Sequence, residues 1–189
     1  MKHTDETPLR ATYLQDGYAQ LNAFLDASSV KELDRKLERF IKTTVAKMPA
    51  DQVFYEHEND TASLKQIQHL ELRDSWFHTL FTDSPFRQLA ETLLGGECVP
   101  MNLQYFNKFP GANKPTPPHQ DGYYFMITPC EAVTMWLALD EVDDENGCIR
   151  YLPGSHRNGL LPHTRTTTLG FSQGIEDYFQ QQDSGSETT

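Results

Sequence analysis

Two residues with metal-binding side chains stand close together in the stretch PTPPHQDGYYF, which begins at Pro115. His119 and Asp121 are two positions apart, and on a β-strand that spacing places both side chains on one face. An imidazole nitrogen and a carboxylate oxygen arranged in this way suit adjacent positions on one metal ion. A second histidine from a distant strand would complete the facial set of ligands typical of Fe(II). Because the chain has seven histidines, a His-x-Asp tripeptide also arises by chance, and a polar loop without metal stays an open alternative.

The surroundings of the pair favour a ligand site over a chance tripeptide. A proline- and glycine-rich loop, FPGANKPTPP, precedes His119, and the turn-forming segments ENG and PGSHRNG follow further along the chain. Such loops lie at the rim of barrels, where ligand sites are commonly built. Tyr123, Tyr124 and Phe125 come directly after the pair, and their types fit either the wall of a pocket or an ordinary core.

Apolar spacing predicts an amphipathic helix near the N-terminus, over SSVKELDRKLERFIKTTVAKM. Ser29 is the expected N-cap, with Glu32 as its capping-box partner, and Pro49 ends the helix. We expect the apolar stripe of this helix to pack on a flat surface.

A later helix has clear signals at both ends. Ser84 is the expected N-cap, Pro85 takes the first helical position and Gly95 marks the exit. The segments VFYEHEND and LKQIQHLEL, which lie between the two helices, are too short to assign to strands or linkers.

From Val99 onward the sequence changes to short β-prone segments bounded by proline, glycine and asparagine: VPMNLQYFNKF, AVTMWLALDEV and CIRYLP. In the second of these, apolar residues alternate with others, as on a strand with one buried face. Helices followed by strands predict an α+β domain whose sheets form a sandwich or a barrel. The length of 189 residues fits one domain.

Composition narrows the classes of partner. A net charge of −11 argues against a nucleic-acid surface, which needs clustered lysine and arginine. No apolar run approaches the roughly 20 residues that span a bilayer, and the polar N-terminus lacks a secretory signal. Three cysteines without a CxxC pair predict no disulfide framework and a cytoplasmic location. The expected partner is a small molecule, and nothing in the sequence indicates the oligomeric state.

The segment HQD, followed by WLALDEVDDENGCIRYLPGSHRNG, resembles the phytanoyl-CoA dioxygenase family of Fe(II)- and 2-oxoglutarate-dependent oxygenases. The order and separation of the segments match over roughly residues 10–170, most strongly from Leu103 to His163. The resemblance implies a double-stranded β-helix, a relative of the jelly roll and the cupins, with N-terminal helices packed outside it. We place this domain at residues 10–175 and predict that the polar tail, residues 176–189, is disordered.

The resemblance also implies roles for individual residues. His119 and Asp121 would bind iron, with no catalytic residue beyond these ligands. Trp136, Gln104 and Lys65 would contact 2-oxoglutarate, although their types also fit a core tryptophan and a solvated lysine. The implied reaction hydroxylates a small organic substrate and releases succinate and CO2. The carboxylate of Asp121 favours hydroxylation, because related halogenases have a small residue at that position.

The sequence departs from the family pattern after the PGSH segment. The family's distal iron-binding histidine and its arginine for 2-oxoglutarate lie beyond it, whereas no histidine follows His163 and the last arginine is Arg165. The chain is then a fragment lacking the last strands, a truncated gene copy, or a protein that completes its site differently. We expect structural roles for His156 and His163. The sequence predicts the family's activity for a full-length parent and weak or no activity for these 189 residues, with an inactive truncated pseudoenzyme or a non-catalytic jelly-roll module as the alternative.

Overall fold

The structure, a computed structural model, describes residues 6–57, 60–109, 116–168 and 171–175. In these ranges the α-helices are α1 (Glu6–Asp16), α2 (Ala27–Thr43), α3 (Ser75–Thr82), α4 (Pro85–Leu94) and α5 (Asp121–Phe125). The strands are β1 (Val53–Tyr55), β2 (Leu64–Ile67), β3 (Tyr105–Phe106), β4 (Thr164–Thr168) and β5 (Phe171–Gly174). Short 3-10 turns lie at Val45–Lys47, Thr61–Ser63, Leu70–Leu72 and Ser155–Asn158. The α+β class is confirmed, and the predicted disordered tail lies outside the described residues.

The N-cap of helix α2 lies three residues earlier along the chain than predicted. Asp26 is the cap: its Oδ1 accepts hydrogen bonds from Ser28 Oγ and from the Ser29 backbone N–H, both at 2.7 Å. These contacts lower the pKa of Asp26 to about 2. The prediction of Ser29 as N-cap, with Glu32 as its partner, was wrong because a carboxylate at the preceding turn satisfies the free N–H groups and also suits the positive end of the helix dipole.

The core lies between α2 and the first sheet. Phe40 of α2 is fully buried and meets the ring of Phe77 edge-on, with the ring centroids 5.5 Å apart. The buried side chains of the cluster are Leu37, Phe40, Val45, Val53, Leu64, Ile67, Leu70 and Phe77. The predicted packing of this helix on a flat surface is therefore confirmed, and that surface is the sheet whose strands β1 and β2 come from the two segments that the sequence left unassigned.

The first sheet is antiparallel with the order β1-β2-β3, and the second pairs β4 with β5. Helix α4 leads the chain back to β3, and both of its predicted ends are confirmed. Ser84 Oγ accepts from the Phe86 N–H at 3.3 Å, Pro85 starts the helix, and Gly95 leaves it with φ of +81°. A left-handed φ of this kind favours glycine.

The segments 132–142 and 148–153 contain no strand in the part of the chain that the structure describes, so the two strands predicted there were wrong. The period-2 pattern is nevertheless present in burial, because Val133, Met135, Leu137 and Leu139 are half-buried while the residues between them are exposed. Alternation determines which side chains face inward, but a strand also needs a neighbour that supplies ladder hydrogen bonds.

The PGSHRN segment packs against the C-terminal end of α1. Gly154 N donates to Asp16 O at 2.8 Å, and His156 Nε2 donates to Leu14 O at 3.1 Å. The Arg157 guanidinium donates to Gln15 O. These donors satisfy carbonyls that have no partner inside a helix, so His156 makes a structural contact, as its place on a turn predicted.

Two leucines of one 3-10 turn give a test of this core. Leu70 is 2% exposed and belongs to the core cluster, whereas Leu72 is 66% exposed. We expect Leu70→Ala to lower the free energy of unfolding by about 2–5 kcal/mol and Leu72→Ala to change it by less than about 0.5 kcal/mol. Urea denaturation of both variants measures the difference, and equal effects would contradict this account of the core.

Candidate metal centre

His119 and Asp121 lie together at the start of α5. His119 Nε2 is 3.2 Å from Asp121 Oδ1. Two ligands that bind one first-row metal at about 2.1 Å, in directions about 90° apart, are roughly 3.0 Å from each other. The spacing of the two donor atoms therefore fits adjacent positions on a single ion.

The backbone that brings the pair together differs from the predicted strand. His119 precedes the helix, Gln120 is its N-cap and Asp121 is its first residue. The same-face argument for a strand therefore does not apply here. A turn of chain at Gln120 brings the two side chains together, closed by a hydrogen bond from Tyr123 N to Gln120 O at 3.0 Å.

Each member of the pair has a second partner that orients it. His119 Nδ1 donates to Pro117 O at 2.8 Å, which leaves Nε2 as the nitrogen facing Asp121. Thr134 Oγ1 donates to Asp121 Oδ2 at 2.6 Å, which leaves Oδ1 facing His119. Such outer contacts fix the tautomer and orientation of metal ligands. The role of Thr134 was not predicted. The sequence shows only that Thr134 lies on the exposed face of the segment in which apolar residues alternate with others.

Gln120, the residue between the pair, is anchored to the segment 159–163. Its backbone N–H donates to His163 Nε2 at 3.0 Å, and its side-chain Oε1 accepts from Leu161 N at 2.7 Å. Its Nε2 donates to Gly159 O at 2.8 Å. Contacts between residues about 40 positions apart therefore fix the backbone on which the two candidate ligands stand.

The ring of His163 uses both of its nitrogens in this anchor. Nδ1 donates to Leu161 O at 2.8 Å, while Nε2 accepts from Gln120. The ring is 9% exposed and stacks on Tyr123 with the centroids 4.0 Å apart. A neutral imidazole in this tautomer has no lone pair left for a metal, which agrees with the structural role expected for His163.

The charges of the pair depend on each other. Burial lowers the pKa of His119, but the hydrogen bond that its imidazolium donates to Asp121, the bond to the Pro117 carbonyl and the negative charge of Asp121 outweigh burial, so the pKa is raised. The bond to His119 lowers the pKa of Asp121 against the effect of burial, and Thr134 lowers it further. A metal ion at Nε2 would take the place of the proton that this ion pair holds.

The three residues predicted to contact 2-oxoglutarate lie in different surroundings. Trp136 is 46% exposed and shares the exposed face of its segment with Thr134. Gln104 is exposed, and its Oε1 accepts from Gln66 Nε2 at 2.7 Å. Lys65 Nζ forms an ion pair with Glu56 at 2.8 Å. All three roles stay predictions.

Aromatic rings connect the first sheet with the candidate ligands. Phe106 of β3 stacks on Phe171 of β5, with the centroids 6.2 Å apart, and Phe171 packs on the His119 ring at 5.0 Å. In ranges 6–57, 60–109, 116–168 and 171–175, no group of three or more His, Cys, Asp or Glu side chains is arranged to hold a metal ion. The described donor set is thus the pair alone.

Comparison with known proteins gives the family. The family model described as Phytanoyl-CoA dioxygenase (PhyH) matches residues 13–187, which is most of the chain. The chain belongs to the phytanoyl-CoA dioxygenase family, as the sequence motifs predicted.

Curated relatives agree with this assignment. The chain is 34% identical over 97 residues to the peroxisomal phytanoyl-CoA dioxygenase of Bos taurus, covering 47% of this chain and 29% of the relative. It is 25% identical over 177 residues to the phytanoyl-CoA dioxygenase of Arabidopsis thaliana, covering 77% and 62%. It is 25% identical over 167 residues to a probable alpha-ketoglutarate-dependent hypophosphite dioxygenase of Stutzerimonas stutzeri, covering 86% and 58%.

The matched part thus spans between 29% and 62% of the length of these relatives. No solved structure matches the chain. Within the described ranges, no helix is both long enough and apolar enough to cross a membrane.

The ion pair predicts a pH dependence of stability in the metal-free protein. Because the pKa of His119 is raised, its contribution is present below the ordinary value of about 6.5 and is lost as the pH rises through the folded value. Because the pKa of Asp121 is lowered, its contribution is present above about 3.9 and is lost as the pH falls through the folded value. Asp121→Asn should therefore reduce stability most between about pH 4 and pH 6.5.

Urea midpoints of the wild type and Asp121→Asn, measured from pH 3 to pH 9 in the presence of a chelator, test this expectation. Thr134→Val is the matched control, because it removes a hydrogen bond to Asp121 but keeps the ion pair, so it should still lose stability as the pH rises through the pKa of His119, and only its acid limb should move to higher pH. A stability difference between wild type and Asp121→Asn that does not vary with pH would contradict the pairing.

Proposed function

We propose that the chain is an Fe(II)- and 2-oxoglutarate-dependent dioxygenase that hydroxylates a small organic substrate with release of succinate and CO2. The observation that carries the proposal is the distance of 3.2 Å between His119 Nε2 and Asp121 Oδ1. The other ring nitrogen of His119 is bonded to Pro117 O, and the other carboxylate oxygen of Asp121 is bonded to Thr134 Oγ1. Membership of the phytanoyl-CoA dioxygenase family supports the same chemistry. The name of the Stutzerimonas relative adds support for 2-oxoglutarate as co-substrate.

In this proposal the residues of the chain hold and orient the reactants. His119 and Asp121 hold the iron, Pro117 fixes the imidazole tautomer and Thr134 fixes the carboxylate. Iron with 2-oxoglutarate and O2 supplies the oxidising power for C–H hydroxylation: one oxygen atom enters succinate and the other enters the product. Gln120, tied to the segment 159–163, keeps the two ligands at a fixed separation.

Further parts of the proposal follow from the family. We propose a double-stranded β-helix as the fold of the whole protein, with 2-oxoglutarate contacts at Trp136, Gln104 and Lys65. A cytoplasmic location and a small-molecule substrate belong to the same proposal. The substrates of other family members are only candidates for this chain. The first tests therefore use 2-oxoglutarate without a second substrate.

The first test replaces the candidate histidine. We expect the wild-type chain to bind Fe(II) and to form succinate slowly from 2-oxoglutarate and O2, and His119→Ala to lose both because a ligand is removed. His78→Ala is the matched control, since His78 is exposed on α3 and takes no part in the site. Succinate is measured by chromatography and Fe(II) binding by anaerobic calorimetry, with untagged protein.

The outcomes of this test separate the two candidate functions. Tight, stoichiometric Fe(II) binding that requires His119 counts heavily against a non-catalytic binding module, and Fe(II)-dependent succinate formation excludes it. If the wild type shows neither metal binding nor Fe(II)-dependent succinate formation, the result favours that module and overturns the proposal.

The second test addresses Thr134. Its hydroxyl orients the carboxylate of Asp121, so we expect Thr134→Val to weaken Fe(II) binding by about 10-fold. Thr134→Ser keeps a hydroxyl at that place and should bind Fe(II) like the wild type. The measurement is calorimetric titration under argon, and equal affinity of the Val and Ser variants would show that the hydroxyl does not act on the site.

A further inference from the structure

Strand β2 carries a buried glutamine, Gln66, between the half-buried Lys65 and the buried Ile67. Gln66 is 3% exposed and is followed by Ile67 of the core cluster. Its Nε2 donates to Gln104 Oε1 at 2.7 Å, while its own Oε1 is buried without a hydrogen-bond partner among the described residues. A buried amide with an unpaired acceptor costs stability, and packing alone would be served better by a leucine. The contact with Gln104 is therefore what this glutamine adds to the sheet.

That contact determines how the Gln104 side chain is presented. Gln104 is exposed, and its carboxamide accepts the bond from Gln66 through Oε1. The amino group, Nε2, is then the part of the carboxamide left to donate, and among the described residues it has no acceptor. A free glutamine side chain has several rotatable bonds, so holding it in one orientation reduces the entropy cost when a ligand binds. An amino group presented in this way suits a carboxylate oxygen.

The register of the sheet places this amide on the side of the candidate metal centre. Gln66 is directly opposite Phe106 in the β2–β3 pair, so the two side chains share a face. Gln104 precedes Phe106 by two residues and bonds to Gln66 on that same face. From Phe106 the contacts continue through Phe171 to the ring of His119.

We propose that Gln66 is a positioning residue for 2-oxoglutarate, which holds the carboxamide of Gln104 so that its Nε2 donates to a carboxylate of the co-substrate. This inference rests on the proposed function, and it assigns to Gln66 a role that neither a motif nor a relative's name gives. Gln66 acts through Gln104 and does not itself contact the co-substrate.

Gln66→Leu tests the inference, with Gln88→Leu, an identical change at an exposed position of α4, as the matched control. The proteins are loaded with Mn(II), which replaces Fe(II) without turnover, and 2-oxoglutarate binding is measured by calorimetry. We expect Gln66→Leu to raise the Kd of 2-oxoglutarate by about 3- to 10-fold, the effect of one hydrogen bond. Its Mn(II) affinity should not change, and its urea midpoint should be equal to or higher than that of the wild type, because the buried unpaired acceptor is gone.

A double-mutant cycle shows whether Gln66 acts through Gln104. We expect Gln104→Ala to weaken 2-oxoglutarate binding at least as much as Gln66→Leu, and the double variant to be no weaker than Gln104→Ala alone. In the Fe(II) enzyme the single Gln66 variant should raise KM for 2-oxoglutarate and leave kcat unchanged.

Three results would overturn the inference while leaving the proposed function intact. The first is unchanged 2-oxoglutarate binding in Gln66→Leu, and the second is fully additive effects of Gln66→Leu and Gln104→Ala on that binding. The third is a parallel fall in the Mn(II) affinity and the urea midpoint of Gln66→Leu. If the Mn(II)-loaded wild type binds no 2-oxoglutarate, both the inference and the proposed function fail.

Discussion

The arrangement of the candidate site depends on the hydrogen bond between the Gln120 backbone N–H and His163 Nε2. The residue that makes it stands between the two candidate ligands, so fixing its peptide fixes the separation of both side chains. A second contact acts on the same segment from the end of β5, because Ile175 N donates to Pro118 O at 2.7 Å. The ligand pair is therefore held from two later parts of the chain, while the short helix α5 alone is too brief to be stable in water.

The two halves of the described chain are stabilised in different ways. All of the buried hydrophobic side chains found in the described residues lie between Leu33 and Leu93, in the half formed by α2, α3, α4 and the strands β1 and β2. The half with the candidate centre is joined by hydrogen bonds and stacked rings, among them Tyr123 on His163. Regions with few buried apolar contacts open at a lower free energy than the core, so a ligand that binds at the candidate site would stabilise this half of the fold most.

Local signals were readable from the sequence, and distant hydrogen bonds were not. The ends of α4 follow from Ser84 and Gly95, because caps and exits are decided within a few residues. The strands predicted after residue 130 failed, because pairing needs a neighbour that alternation does not specify. The closeness of His119 and Asp121 was predicted for the wrong reason, because a strand was expected where the chain makes a turn at Gln120. The contact of Thr134 with Asp121 could not be predicted, because the two residues are 13 positions apart.

Contacts between distant residues, which the sequence does not reveal, also affect the residues expected to contact 2-oxoglutarate. Alternation along β2 places Lys65 and Gln66 on opposite faces, and the ammonium of Lys65 is already paired with Glu56 in half-buried surroundings. For Lys65 to bind the co-substrate, this pair must separate, and separating a partly buried pair leaves the Glu56 carboxylate without its partner. Gln104 needs no such rearrangement, because its acceptor is bonded to Gln66 and its amino group is the part left to donate. If the chain binds 2-oxoglutarate as we propose, Gln104 can therefore donate to it without rearrangement, whereas Lys65 can do so only after its ion pair with Glu56 separates.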